Sequence, residues 1–295
     1  KCHGKSYIVP SGVEELDCKS FDYSKLEEIT IPEGVKNMDS AFTSCEELTY
    51  VKIPASVENC DGAFYRCYKL ECVDVDAANE YYTSVDGVLY DKAMKKLLYY
   101  PHAKEDEEYE MPSGIEEIDT ACECFGSRKV KKITVNDGIT VIPESAFANS
   151  WKLEQVILPD SVTTIGKFAF AFSTIKEIEI PDGVTSIEEN TFNACYKLER
   201  VVLPRNLQSI GKSAFSGCIE LWNIIIPDGT DIIGYKSFNT CTKLANITIP
   251  ESVSLIKDGA FSECDNLYSV TILGTSTAIE DRAFATGVNI YCHEK

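Results

Sequence analysis

Ile180-Pro181-Asp182-Gly183-Val184-Thr185-Ser186-Ile187, followed by Thr191-Phe192-Asn193-Ala194-Cys195 and Leu198, is one copy of a phrase that recurs about every 23 residues along a chain of 295. The phenylalanines mark the beat. Phe147, Phe170, Phe192, Phe215, Phe238, Phe261 and Phe284 are spaced 23, 22, 23, 23, 23 and 23 residues apart, and Phe21, Phe42 and Phe64 keep similar time nearer the start. Apolar residues in fixed columns at such a period specify a repeat solenoid, in which each rung buries its apolar side against its neighbours. One stacked domain spanning 1–295 is therefore expected, and the repeated columns are committed to packing before any function is considered.

Within a copy, Leu244-Ala245-Asn246-Ile247-Thr248-Ile249-Pro250 alternates apolar and polar as a half-buried strand does, and the proline, which has no N–H, ends the ladder. Asp182-Gly183, Asp228-Gly229 and Glu251-Ser252 supply the turn. Val184 and Ile187 then point inward from a second short extended piece. The A-F-x-x-C stretch is long enough only for a helical turn whose aromatic closes the rung.

Six of the thirteen cysteines (Cys45, Cys67, Cys195, Cys218, Cys241 and Cys264) fall three residues after the repeat phenylalanine, a place taken by Ser24, Ser150, Ser173 or Gly287 in other copies. A column that accepts Cys, Ser or Gly asks for a small side chain in a tight turn. Stacked at about 4.8 Å per rung, four such thiols span roughly 14 Å. A zinc ion needs its four sulfurs within ~2.3 Å, which a ladder does not supply. Disulfides between rungs are disfavoured less strongly, by parallel Cβ vectors. Reduced thiols are expected in the ladder. Cys2, Cys18, Cys60, Cys72, Cys122, Cys124 and Cys292 lie off the column, and a bridge near either terminus stays open.

The beat breaks between Phe64 and Cys122 or Phe125, giving an irregular segment at about 76–125. Gly87 to Tyr90 and Lys96 to Tyr100 read as two strands of an inserted hairpin around a polar turn. The acidic run Glu105-Asp106-Glu107-Glu108 reads as a solvated loop and lacks the alternating pattern of a calcium loop.

With 47 acidic and 28 basic residues the formal net charge is -19, which disfavours binding to nucleic acid or anionic lipid. No apolar run approaches the ~20 residues that span a bilayer. The chain opens Lys1-Cys2-His3-Gly4 and starts and stops mid-repeat, as a piece of a longer protein with its export signal elsewhere would. The histidines, His3, His102 and His293, suggest no catalytic pair, and no metal-protease, dinucleotide or phosphate-loop motif is present. Cys122-x-Cys124 stands alone without a second pair. Asn246-Ile247-Thr248 is a glycosylation sequon that falls on a strand. Neither an enzyme nor a cofactor is expected.

What remains is the outward face of the strands. Its positions are Tyr50 and Lys52, Gln155 and Ile157, Glu177 and Glu179, Arg200 and Val202, Asn223 and Ile225, Asn246 and Thr248, Ser269 and Thr271. Ile157, Val202 and Ile225 interrupt a polar surface, with Trp222 just before one pair and Tyr268 in the matching place two rungs on. Such residues suit a protein-binding patch, although isolated β-branched residues also simply favour strands.

The I-P after the strand, the A-F-x-x-C turn and the period of 22 to 23 residues, from about Ile8 to Phe284, resemble the BspA-like, or Treponema-type, leucine-rich repeat family. The segment Val85 to Tyr90 with Leu97 to Pro101 also resembles a hairpin rung found in such arrays. The resemblance implies an α/β right-handed stack of about 11 rungs with parallel strands, short helical turns and one inserted hairpin. It further implies a surface or secreted, adhesin-like protein of host-associated microbes, without catalytic residues. The expected partner is a protein, for instance a host extracellular or epithelial surface protein, bound by a monomer through Ile157, Val202, Trp222, Ile225 and Tyr268. A structural spacer of a larger surface protein and a carbohydrate-binding module are the alternatives.

Overall fold

The computed structural model describes residues 5–18, 20–119, 125 and 129–292. The chain divides into two compact units, Lys1–Glu107 with Gly114–Val130 and Glu108–Ser113 with Lys131–Lys295.

The first unit opens with four parallel strands in one sheet, β1 (Ser6–Ile8), β2 (Glu28–Thr30), β3 (Tyr50–Ile53) and β4 (Cys72–Val75), in sequence order. In β3 the alternation of exposed and buried residues is complete, with Val51 and Ile53 inside. The irregular segment then forms β5 (Tyr82–Val85), β6 (Val88–Asp91) and β7 (Lys96–Tyr99). The expected hairpin is β6 with β7, but it is one half of an antiparallel meander, since β5 pairs with the other edge of β6. Asp86 and Gly87, with φ of 50° and 75°, make the two-residue turn between β5 and β6, as a tight hairpin of this twist requires. Strand β8 (Glu108–Glu110) belongs to the second unit, and β9 (Glu117–Ile118) returns to the first beside β7.

The rings resolve the broken beat. Phe21, Phe42 and Phe64 stack at 5.4 and 6.1 Å between centroids, and the next place is taken by Tyr99, 5.5 Å from Phe64. Phe125 packs instead on Tyr100 at 5.5 Å. A tyrosine had replaced the phenylalanine, so the marker was hidden. His102 is buried here, its Nδ1 3.0 Å from the Tyr99 hydroxyl. Lys104, also buried, holds Asp86 at 2.9 Å and Asp106 at 2.8 Å. In the acidic run Glu105 and Glu108 stay solvated while pairing with Lys129 and Lys132 respectively.

The second unit alternates between two strand ladders, one strand of each per rung. In chain order it adds β10 (Lys132–Thr134), β11 (Val141–Ile142), β12 (Gln155–Ile157), β13 (Thr164–Ile165), β14 (Glu177–Glu179), β15 (Ser186–Ile187) and β16 (Arg200–Val202). There follow β17 (Ser209–Ile210), β18 (Ile232–Ile233), β19 (Asn246–Ile249), β20 (Leu255–Ile256), β21 (Ser269–Ile272), β22 (Ala278–Ile279) and β23 (Asn289–Cys292). One ladder comprises the sheets β8-β10-β12-β14-β16 and β19-β21-β23, the other β11-β13 and β15-β17-β18-β20-β22, all parallel. Seven phenylalanines from Phe147 to Phe284 stack between the ladders at 5.0 to 5.4 Å with ring planes within 13°. Each buried ring contributes about 1.5–3 kcal/mol.

The expected helical turns are not there: no helix occurs among the described residues, and the fold is a β-solenoid rather than α/β. The A-F-x-x-C stretch is a chain of β-turns. Asn190 and Ala194 are left-handed, with φ of 58° and 55°, and the same two columns are left-handed in the neighbouring rungs. Alternate N–H groups leave the rung. Asn193 N–H and Cys195 N–H bond back to Asn190 and Phe192, whereas Phe192 N–H and Ala194 N–H reach Ala214 and Ser216 of the next rung, both at 2.8 Å. A helix would need every donor for itself.

The cysteine column is a donor column. The Cys45, Cys67, Cys195, Cys218, Cys241 and Cys264 thiols each lie 3.1–3.2 Å from the carbonyl of the phenylalanine one rung back, Phe21, Phe42, Phe170, Phe192, Phe215 and Phe238 in turn. In the same column the Ser24 and Ser173 hydroxyls lie 3.3 and 3.5 Å from the Cys45 and Cys195 sulfurs of the next rung. Burial pushes the Cys195 and Cys264 thiols up to about 12 and holds Cys218 and Cys241 well above the ordinary range. Off the column, Cys18 and Cys292 are exposed, Cys60 is buried and Cys72 half-buried, all as free thiols. Cys2, Cys122, Cys124, His3 and His293 lie outside the described residues.

Candidate partner-binding face

The outward positions of the first ladder in the second unit are set by alternation: Val156, Ile178 and Val201 face the core, so their flanking residues face solvent. Ile157 is 42% exposed, Val202 37%, Trp222 55%, Ile225 76% and Tyr268 60%. The structure brings some of these together. Val202 and Ile225 line one cleft with Leu203, Asn223 and Pro227. Ile157 and Val202 share the adjoining depression, with Glu179 between them. Trp222 borders a third hollow at the strand starts with Lys131, Lys176 and Arg200. Tyr268, two rungs away, borders none of the three.

The cleft sits where the ladder parts. The rung Trp222 to Ile226 forms no strand, and only a single bridge, Arg200 to Asn223, ties it to β16. In several rungs the residue after a strand bonds onward, as Val135 N–H does to Ile157 and Ile180 N–H to Val202, each at 3.0 Å, although Ile31 and Leu158 do not. Among the described residues no such bond joins Leu203 to Ile225 or Ile226 to Thr248.

Charged groups on the rim neutralise one another. Arg205 grips both oxygens of Asp182, through its own N–H at 2.9 Å and Nε at 2.7 Å, and these bonds hold the Asp182 carboxyl below its usual range. Arg200 lies 3.5 Å from Glu177, and Lys176 at 2.6 Å depresses Glu154 in the same way. The chemistry on offer is an apolar floor with a self-satisfied charged border. Among the described residues no group of three or more His, Cys, Asp or Glu side chains is placed to hold a metal ion. Leu203, Pro227 and Arg205 complete the cleft but carry no sequence signal, because each belongs to a repeated packing or turn column.

The sequence of this chain is matched by the BspA type leucine rich repeat region, in six copies over residues 1–85, 118–238 and 163–291. The chain belongs to the BspA-type leucine-rich repeat family. This repeat chain is similar to a leucine-rich repeat protein of Eubacterium ventriosum at 26% identity and a TM-score of 0.75, covering 87% of this chain and 75% of the other. The pneumococcal vaccine antigen PcpA shares the fold at 24% identity and a TM-score of 0.54, over 99% of this chain and 74% of that one. A leucine rich cell surface protein of Faecalibacterium prausnitzii aligns at 27% identity and a TM-score of 0.48 over 92% of this chain, which spans 60% of that protein. No protein of curated function matches the chain.

Proposed function

We propose that this repeat chain is a non-catalytic protein-binding module of a microbial surface or secreted protein, and that it docks its partner on the face running from Ile157 through Val202 to Ile225. The partner expected from the family resemblance is a host extracellular or epithelial surface protein. The observation that carries the reading is the cleft where Val202 and Ile225 stand exposed over a parted ladder. Apolar side chains presented by a stacked array lose little freedom on binding. The paired rim adds orientation rather than affinity, since its charges already have partners. Trp222 flanks this patch as an aromatic anchor, and Tyr268 lies outside it.

The test is binding of the chain to a panel of matrix and epithelial surface proteins beside a Trp222→Ala/Ile225→Asp variant whose circular dichroism matches the parent. Saturable binding lost in the variant supports the reading. Binding that survives removes the patch but keeps the module, and a blank panel at high micromolar concentration favours a spacer role.

A further inference from the structure

A second surface lies in different columns of the same unit. Between the buried Ser150 and Leu153, and between the buried Cys195 and Leu198, the chain turns through two-residue corners, Trp151-Lys152 and Tyr196-Lys197, each an aromatic followed by a lysine. The rung between them is one residue short. After the buried Ser173 comes only Thr174 before the buried Ile175, which accounts for the interval of 22 between Phe170 and Phe192. The Thr174 hydroxyl donates to the Leu153 carbonyl at 3.1 Å and lies 3.4 Å from that of Ser150, drawing the short corner beneath its neighbour. A notch results, walled by two aromatic-lysine corners that stand roughly 10 Å apart at two rung steps.

Two further observations mark it. Phe172, beside the short corner, is exposed although its φ is 59°. Asn149, Ala194, Gly217, Thr240 and Glu263 fill that left-handed column in other rungs of this unit, and a bulky aromatic there, found also at Tyr23 in the first unit, is favoured neither by the backbone nor by packing. Lys152 and Lys197 form no ion pair among the described residues, while Lys167, Lys176, Lys212 and Lys243 around them all hold carboxylates. In a chain of net charge -19, each wall thus carries a lysine without an ion pair among the described residues, Lys152 lying near enough to Glu154 to help lower its carboxyl.

We infer that the notch binds a carboxylate-bearing sugar unit of a glycan, a uronic or sialic acid residue, independently of the protein-binding face. Trp151, Tyr196 and Phe172 offer flat faces to the C–H side of a pyranose ring. Lys152 and Lys197 take the carboxylate by charge-assisted hydrogen bonds. The overall negative charge selects a single acidic unit over a polyanion.

The experiment titrates a Trp222→Phe chain, in which Trp151 is the remaining tryptophan, with trigalacturonate and with sialyllactose, following fluorescence and ligand-observed NMR. Fully methyl-esterified trigalacturonate and maltotriose are the neutral controls. Saturable binding of an acidic sugar is expected, weakened about tenfold or more by Lys152→Gln/Lys197→Gln and by Trp151→Ala/Tyr196→Ala. One glycine inserted after Thr174 fills the notch and abolishes binding. All the substituted corner residues are exposed, so melting temperatures stay unchanged in the substitution variants. No saturable response to either acidic sugar, an equal response to the ester, or binding indifferent to the paired substitutions overturns the assignment. So does an acidic peptide that binds the notch where the sugars do not.

Discussion

At the scale of the residue, the stacked column selects a small side chain, and its cysteines each donate to a carbonyl one rung back. The Cys218 thiol lies 3.2 Å from the Phe192 carbonyl, Cys218→Ser keeps a small donor in that place, and Ser already fills the column at Ser150 and Ser173. Thermal melting is therefore expected to place Cys218→Ser closer to the parent than Cys218→Leu, which overpacks the site at about 1–3 kcal/mol. A Leu variant melting as high as the Ser variant would count against the donor role. The ring column gives a second contrast. Phe215→Ala removes a fully buried ring stacked on both sides and should cost ~3–5 kcal/mol, whereas half-buried Phe284, stacked on one side, should cost clearly less. Denaturant unfolding of the two variants measures the difference. These columns were legible in the sequence because burial recurs with the period. The left-handed columns were not: Ala194, Thr240 and Glu263 carry no glycine to announce a positive φ.

At the scale of the element, neighbouring rungs override local propensity. The A-F-x-x-C stretch contains good helix formers, yet its donors are claimed alternately by the rung itself and by the next. The meander shows the opposite balance. Its Asp86-Gly87 turn is a strong local hairpin signal, but β5 reads Tyr-Thr-Ser-Val, with two polar residues at its centre, and is less apolar than β6 and β7 after it. Gly87 combines φ of 75° with a neighbour at 2.9 Å from any added Cβ, the Cys72 sulfur. Gly87→Ala is expected to destabilise the first unit by about 1–2 kcal/mol or more, read from the midpoint of chemical unfolding. Relief of that cost in a Gly87→Ala/Cys72→Ala double variant would assign part of it to the sulfur. On the candidate face, alternation revealed which side chains point outward. The parted ladder could not be read, because Trp222 to Ile226 keeps the strand pattern without the bonds.

At the scale of the whole molecule, unlike charges pair between rungs, as in Lys5 with Glu27 at 2.7 Å, Lys212 with Glu189 at 2.8 Å and Arg282 with Asp258 at 3.1 Å. Their exposure makes each worth little energetically. Buried thiols matter more to the pH response. Burial raises Cys60 in the first unit, and Cys195 and Cys264 in the second, from 9.0 to about 12. The folded chain then keeps protons that the unfolded chain releases. This contribution is complete below pH 9 and drains away as pH rises from 9 to about 12. Melting temperature should fall steeply across that window, and a Cys195→Ser/Cys264→Ser variant should show a shallower slope there. Identical slopes would show that these thiols are not the groups responsible.

The alternating donors also impose an order on biosynthesis. Because Phe192 N–H waits for Ala214 and Phe238 N–H for Ala260, a chain growing from its N-terminus always trails one unfinished repeat. Only that trailing repeat and its successor present an unshielded ring and thiol to a chaperone or an oxidant. The vulnerable length stays constant however many copies precede it, so the gene can lengthen by whole repeats without lengthening the exposed stage of folding.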